Sequence, residues 1–239
     1  MLHIVAGQTL YDLLLVAFAV LVMPVMSARN GRKLNADPSA SRIARYLRTM
    51  ARGWASADAV VAIWIVLHRS FAALGLGWPP GPAGKAGLAL IALAALAVAI
   101  LVANAPRLVT PARYPVLREQ MRHIKILPRS TPEMLVFLGV SVTAGVWEEL
   151  IYRGFLIWFL LPYAGLIGAV ALSSIVFGLG HLYQGWRGVL STATLGLVFA
   201  LGFVFSQSLW WVMAAHALVD LYGGTMAWRV LRMPAPQAA

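Results

Sequence analysis

The stretch "VWEELIYRGF", Val146 to Phe155, sets two adjacent carboxylates and an arginine inside an otherwise apolar run. The chain has 239 residues and only eight acidic ones, so Glu148 and Glu149 are a quarter of its carboxylate side chains. Whether the stretch is a soluble core helix or a membrane span decides the fold, and composition decides that question. Hydrophobic residues make up 61%, charged residues 11%, and the mean hydropathy is +0.79. Soluble domains carry about 25% charged residues. The composition supports an all-α, polytopic helical membrane bundle.

Working outward, apolar runs long enough to cross ~30 Å of hydrocarbon, about 20 helical residues, cover Leu10 to Met26, Ala57 to Leu76, Ala86 to Ala105, Met134 to Leu161, Ala164 to His181, Val189 to Phe205 and Leu209 to Val230. This predicts about seven transmembrane helices with an unusually long fourth span that turns at Pro162. The first run has no basic stretch before it and carries Asp12, so it reads as a retained span rather than a cleaved leader. Three parts follow: 1–131, N-terminal spans and basic loops; 132–230, the segment with the polar insertions; and 231–239, a short C-terminal tail.

The formal net charge is +11, yet the basic residues do not form the aromatic-studded patch that nucleic acid requires. They concentrate in two loops, Arg29 to Arg52 and Arg107 to Arg129. The connection "SFAALGLGWPPGPAG" between the second and third spans has no charge. Lys and Arg accumulate on the cytoplasmic side, which puts both basic loops and the C-terminus inside and the N-terminus outside. Arginine outnumbers lysine 16 to 3, which points to a GC-rich bacterium and so to an inner membrane. The stretch Ser41 to Trp54 spaces Ile43, Tyr46, Leu47 and Met50 helically among arginines and reads either as a helix in the inner headgroup layer or as a plain solvated basic helix. Asp12, Asp58, His68 and Arg69 fall near span ends and read as snorkelling side chains. With no cysteine, disulfides and thiolate chemistry are excluded.

Ionisable groups within spans are costly and usually face the bundle interior with a partner. Glu149 and Arg153 are four apart with the acid first, the better order for a helical ion pair. Glu148 points about 100° away and is left to face a cavity. Two further polar insertions share this helical spacing: Phe177 and His181 in "FGLGH", and His216 and Asp220 in "HALVD". Counting from Pro162, Glu148 lies about 21 Å and His181 about 28 Å along their helices. From the turn near Gln207, His216 lies about 14 Å and Asp220 about 20 Å along theirs. The three motifs then converge within reach of helix tilt.

Glu-Glu-x-x-x-Arg at 148 to 153, Phe-x-x-x-His at 177 to 181 and His-x-x-x-Asp at 216 to 220, in that order over Pro132 to Arg229, resemble the signature of the CAAX-protease and bacteriocin-processing (CPBP, Abi-type) family of intramembrane proteases. The resemblance implies an all-helical protease with a water-accessible catalytic cavity, acting on a peptide or protein substrate in the lipid bilayer. It places His216 and Asp220 on the oxyanion. This chain departs from a common form of the motif, which has Asn where Asp220 stands, and an ionised aspartate cannot donate a hydrogen bond.

Chemistry gives the same positions roles. No serine or threonine accompanies the acid and histidine motifs, so the nucleophile is an activated water, with Glu148 as general base and His181 orienting the water. Phe177 and Tyr152 line the cavity. Two histidines and a carboxylate also make an open three-ligand zinc site, with His181, His216, Asp220 and Glu148 as the ligand candidates. The helical His-Glu-x-x-His arrangement of soluble zinc proteases is absent, and a cofactor-free reaction is the favoured expectation. A transporter would also bury carboxylates and histidines but would often show an internal repeat, and none is found. A non-catalytic immunity scaffold would lack part of the catalytic set, whereas every member is present.

Overall fold

The structure is a computed structural model that describes residues 8–37, 41–232 and 234. Beyond Arg232 only Pro234 of the expected tail falls within the described residues. Those residues form helices joined by short loops, with no strand among them. Helix α1 (Leu10–Ala17) passes through a π-helical turn (Phe18–Val22) into α2 (Met23–Ala36). Then come α3 (Arg42–Val66), α4 (Pro82–Ala103), and the short α5 (Ala105–Leu108) and α6 (Tyr114–His123). Helix α7 (Thr131–Glu149) runs through a second π-helical turn (Leu150–Leu156) into α8 (Ile157–Leu179), and α9 (Gly185–Ser206) and α10 (Leu209–Arg232) complete the chain.

Among the described residues, four stretches are long and apolar enough to cross a membrane: Leu10–Lys33, Pro82–Ala103, Thr131–Leu179 and Leu182–Ser206. The third has 49 residues, about 73 Å of straight helix at 1.5 Å per residue, more than twice a bilayer core. It folds back within itself at Gly165, whose backbone sits at φ 62°, ψ 177°. Only glycine adopts that region readily. Pro162, expected at the turn, lies three residues earlier within the helix. The returning half of α8 packs on the π-helical turn, where Ser173 Oγ donates to the Tyr152 carbonyl at 2.6 Å.

Two expectations are corrected in α3. The predicted headgroup-layer helix and the second span are one continuous helix from Arg42 to Val66. Its basic half packs against α7: Tyr46 is buried edge-on to Phe137, and Tyr46 Oη donates to the Ile126 carbonyl. Nothing between Ser41, which caps the helix through Ala44 N, and Val66 interrupts it. The apolar run beyond Val66, expected to stay helical to Leu76, leaves the helix at His68 (φ 51°) and forms a separate 3-10 turn, Phe71–Leu74.

The snorkelling reading of Asp12 and Arg69 is also corrected. Asp12 is fully buried, and both of its oxygens receive Arg69 Nη1 and Nη2 at 2.7 Å. The guanidinium lies between Trp64 and Trp158, 4.8 Å from each ring. A bidentate pair with two aromatic faces satisfies a buried carboxylate that water cannot reach. It ties α1 to the end of α3 and to α8.

Candidate active site

Helices α7 and α10 approach closely at Gly145, where an added Cβ would sit 2.6 Å from the Met213 carbonyl oxygen. One turn further along each helix, Glu149 and His216 meet. Glu149 is fully buried, and its Oε1 accepts from Arg153 Nη1 at 2.8 Å. The same oxygen lies 2.6 Å from His216 Nδ1. A carboxylate only accepts hydrogen bonds, so Nδ1 carries the hydrogen and Nε2 is turned to the other side of the ring.

Arg153 is as buried as its partner. It also donates Nη2 to the Gly196 carbonyl at 3.1 Å, and its guanidinium lies 4.2 Å over the Phe177 ring. One glutamate, one arginine, one backbone carbonyl and one ring thus compensate each other in a place where an isolated charge would be costly. The π-helical turn that holds Arg153 follows Glu149 directly, and such turns recur at functional sites.

Glu148 faces a different group. Its Oε2 is 3.9 Å from His216 Nε2 and 4.0 Å from His181 Nε2, and no hydrogen-bond partner reaches that buried oxygen. His181 Nδ1 is 2.9 Å from the Phe177 carbonyl oxygen, which as an acceptor fixes the hydrogen on Nδ1 and directs Nε2 toward Glu148. Asp220 Oδ2 stands 3.9 Å from His216 Nε2 with its side chain 35% exposed, at the wetter edge. These separations exceed a direct hydrogen bond and suit one small oxygen, of water or substrate, touching several groups at once.

Phe177 walls the cluster, its ring edge-on to His216 at 5.9 Å, against His181 at 4.8 Å and against Tyr152 at 5.2 Å. Phe199 closes the other side of His216 at 5.7 Å. Tyr152 contributes its ring to this wall, while its hydroxyl donates to Met23 Sδ at 3.5 Å on α2.

The sequence brings Glu148, His181, His216 and Asp220 together as separate spacings, and the structure places all four around one point. It also supplies what spacing missed. The orienting partner of His216 Nδ1 is Glu149, a residue on another helix, rather than Asp220 four residues along. Intra-helical spacing finds i, i+4 partners only, and no signal in a single sequence marks a contact between α7 and α10.

The zinc alternative asks for three or more of these side chains arranged as ligands. Among the described residues no group of three His, Asp or Glu is placed to hold a metal ion. Glu149 holds His216 Nδ1 and the Phe177 carbonyl holds His181 Nδ1, so the Nε2 atoms are the ones left toward Glu148 and Asp220, where His181, His216, Asp220 and Glu148 would be the ligands of a metal supplying Lewis-acid chemistry.

Residues 130–222 match the family model described as type II CAAX prenyl endopeptidase Rce1-like. Over this segment the chain is similar to the Rce1-like family. All three motifs, and every member of the Glu148 and Glu149 clusters, lie inside the Rce1-like segment. The match supports peptidase activity in general, and together with the apolar helices it supports a multi-pass membrane protein. Comparison with curated proteins and with solved structures returned no match.

Proposed function

We propose that the chain is an intramembrane endopeptidase that hydrolyses a peptide bond near the cytoplasmic membrane face with a water activated by Glu148 and His181. The observation that carries the reading is the unpartnered Glu148 Oε2, facing the Nε2 atoms of both His181 and His216 at 3.9 to 4.0 Å. A water held between Glu148 and His181 gives its proton to Glu148 as its oxygen bonds to the scissile carbonyl carbon. The carbonyl oxygen gains the negative charge. It is stabilised by His216 Nε2–H when that imidazole is doubly protonated and by Asp220 in its protonated form. Glu148 then passes the proton to the leaving nitrogen as the C–N bond breaks. Glu149 does not touch the substrate in this scheme and acts by positioning His216. No step uses a metal or other cofactor.

In the same reading, helix from Thr131 to the break at Gly165 is one long crossing, both basic loops and the C-terminus face the cytoplasm, and the membrane is a bacterial inner membrane. The substrate is a peptide or protein held in or at the bilayer. The test is incubation of purified protein in liposomes with a peptide library, read by mass spectrometry. Cleavage that disappears in Glu148→Gln, with the variant still folded, supports the assignment; equal cleavage by both proteins removes it.

A further inference from the structure

Helix α6 separates two cavities of opposite character. On one side Arg118, Arg122, Arg129 and Leu231 line a cavity of about 170 Å³. On the other, a cavity of about 350 Å³ is lined by apolar groups that include Leu117, Met121, Ile124, Tyr222, Gly223 and Met226. The helical spacing produces the division: Arg118 and Arg122 are four apart on one face, Leu117 and Met121 four apart on the next. Both cavities are completed by the C-terminal half of α10, through Leu231 on the polar side and Tyr222 to Met226 on the apolar side.

Among the described residues no carboxylate lines the polar cavity. Among the described residues no salt bridge reaches Arg118, Arg122 or Arg129. Glu133, the nearby carboxylate, is engaged by Arg42 at 3.4 Å and by the backbone N–H of Arg129. Arg129 Nη2 donates to the Arg122 carbonyl at 3.0 Å, which fixes its guanidinium over α6. Burial, with the cations Arg42 and Arg122 beside it, pulls the Arg129 guanidinium below its ordinary value.

We infer that α6 and the end of α10 form a binding site for one anionic phospholipid, its phosphate among Arg118, Arg122 and Arg129 and a hydrocarbon chain in the apolar cavity. Charge complementarity selects a phosphate-bearing head, because planar guanidinium groups match phosphate oxygens. The adjoining apolar cavity selects a ligand that carries a hydrocarbon chain with that phosphate. Free phosphate would satisfy only the first half of the site. Basic pockets between membrane helices on the cytoplasmic side are the usual setting for such heads. This assignment is independent of the peptidase mechanism, since none of the arginines belongs to the Glu148 cluster.

The test uses the full-length purified chain in neutral detergent, titrated with dioctanoyl phosphatidylglycerol, dioctanoyl phosphatidylcholine or inorganic phosphate, with binding read by native mass spectrometry and thermal shift. Phosphatidylglycerol should bind about tenfold or more tightly than phosphatidylcholine, the scale expected for one or two basic residues near an anionic head. Inorganic phosphate should give no comparable shift. Arg118→Gln with Arg122→Gln should remove the preference for the anionic lipid. Gly223→Leu supplies the second variant. A Cβ at Gly223 meets nothing within 4 Å, so the leucine enters the apolar cavity without a clash. It should weaken lipid binding while leaving the unliganded protein at least as stable. Equal affinity for the two lipids, or a preference that survives both arginine substitutions, overturns the proposal. A phosphate response matching that of the lipid, or unchanged lipid affinity in Gly223→Leu, overturns the assignment to a phospholipid.

Discussion

Glu149 Oε1 lies 2.6 Å from His216 Nδ1 and 2.8 Å from Arg153 Nη1, so a single oxygen joins α10 to the π-helical turn after α7. The carboxylate is therefore both a charge partner for a buried arginine and the group that fixes how His216 presents Nε2 to the cavity. Removing one member of a buried pair strands the other, which costs about 3 to 5 kcal/mol. Glu149→Ala and Arg153→Ala should each lower the unfolding temperature in detergent, and the double variant should lose less than the sum. Additive losses in the thermal double-mutant cycle would show that the two side chains are not coupled.

Glu148 supports a separate expectation, because its Oε2 has no partner to lose. Glu148→Gln should change thermal stability by no more than about 1 kcal/mol, since no hydrogen bond at Oε2 is lost. Peptide cleavage should fall at least ~100-fold, the lower end of what a general base contributes. Cleavage rate and unfolding temperature measured on the same preparation check both halves.

Asp12 and Arg69 give a stability prediction away from the cluster. The bidentate pair is held between Trp64 and Trp158, so Arg69→Ala loses the aromatic stacking and leaves a fully buried carboxylate uncompensated. A loss of about 3 kcal/mol or more is expected, and Arg69→Lys should recover only part of it, because an ammonium does not reproduce a planar bidentate fork. Full stability in Arg69→Lys, measured by thermal unfolding, would reduce the pair to a simple point charge.

The helical class and the cluster of acids and histidines were legible in the sequence because the bilayer makes each buried charge conspicuous. Glu148, Glu149, His181, His216 and Asp220 stand out against a chain with 11% charged residues. Contacts between helices were not legible. Periodicity assigned Asp12 and Arg69 to span ends one at a time, yet they are partners 57 residues apart. The same blindness paired His216 with Asp220 along one helix and missed Glu149 on another. The turn at Gly165 was displaced to Pro162 because proline is the louder sequence signal, although a proline can sit within a membrane helix when neighbouring groups satisfy the backbone it frees.

The orientation proposed from loop charge can be tested directly, since the chain has no cysteine. Arg48 and Arg122 are exposed on the basic loops and helices, and Pro79 is exposed on the uncharged connection. Single cysteines at Arg48 and Arg122 should resist a membrane-impermeant thiol reagent in intact cells, and one at Pro79 should react. The opposite pattern would move the Glu148 cluster toward the outer half of the membrane.

Asp220 distinguishes the proposed cofactor-free reaction from a metal-dependent one. Its Oδ2 is 3.9 Å from His216 Nε2 and its side chain is the most exposed of the four in the cluster, so it can touch a substrate oxygen at the wet edge. If it serves the oxyanion it must donate, and aspartate donates only when protonated. Asn donates in every protonation state. Asp220→Asn should therefore keep or raise the cleavage rate, with the gain bounded by the roughly 2.7 to 4 kcal/mol that a complete oxyanion donor supplies. The gain should be greatest toward alkaline pH, where more of the aspartate is ionised and unable to donate. A metal ligand would behave in the opposite way, because exchanging an anionic oxygen for an amide weakens binding of the ion. Cleavage by the wild type and Asp220→Asn, followed from acid to alkaline pH with chelator and with added zinc, separates the two. A retained rate indifferent to chelator supports the donor role, and a loss that zinc restores would reassign Asp220 as a ligand.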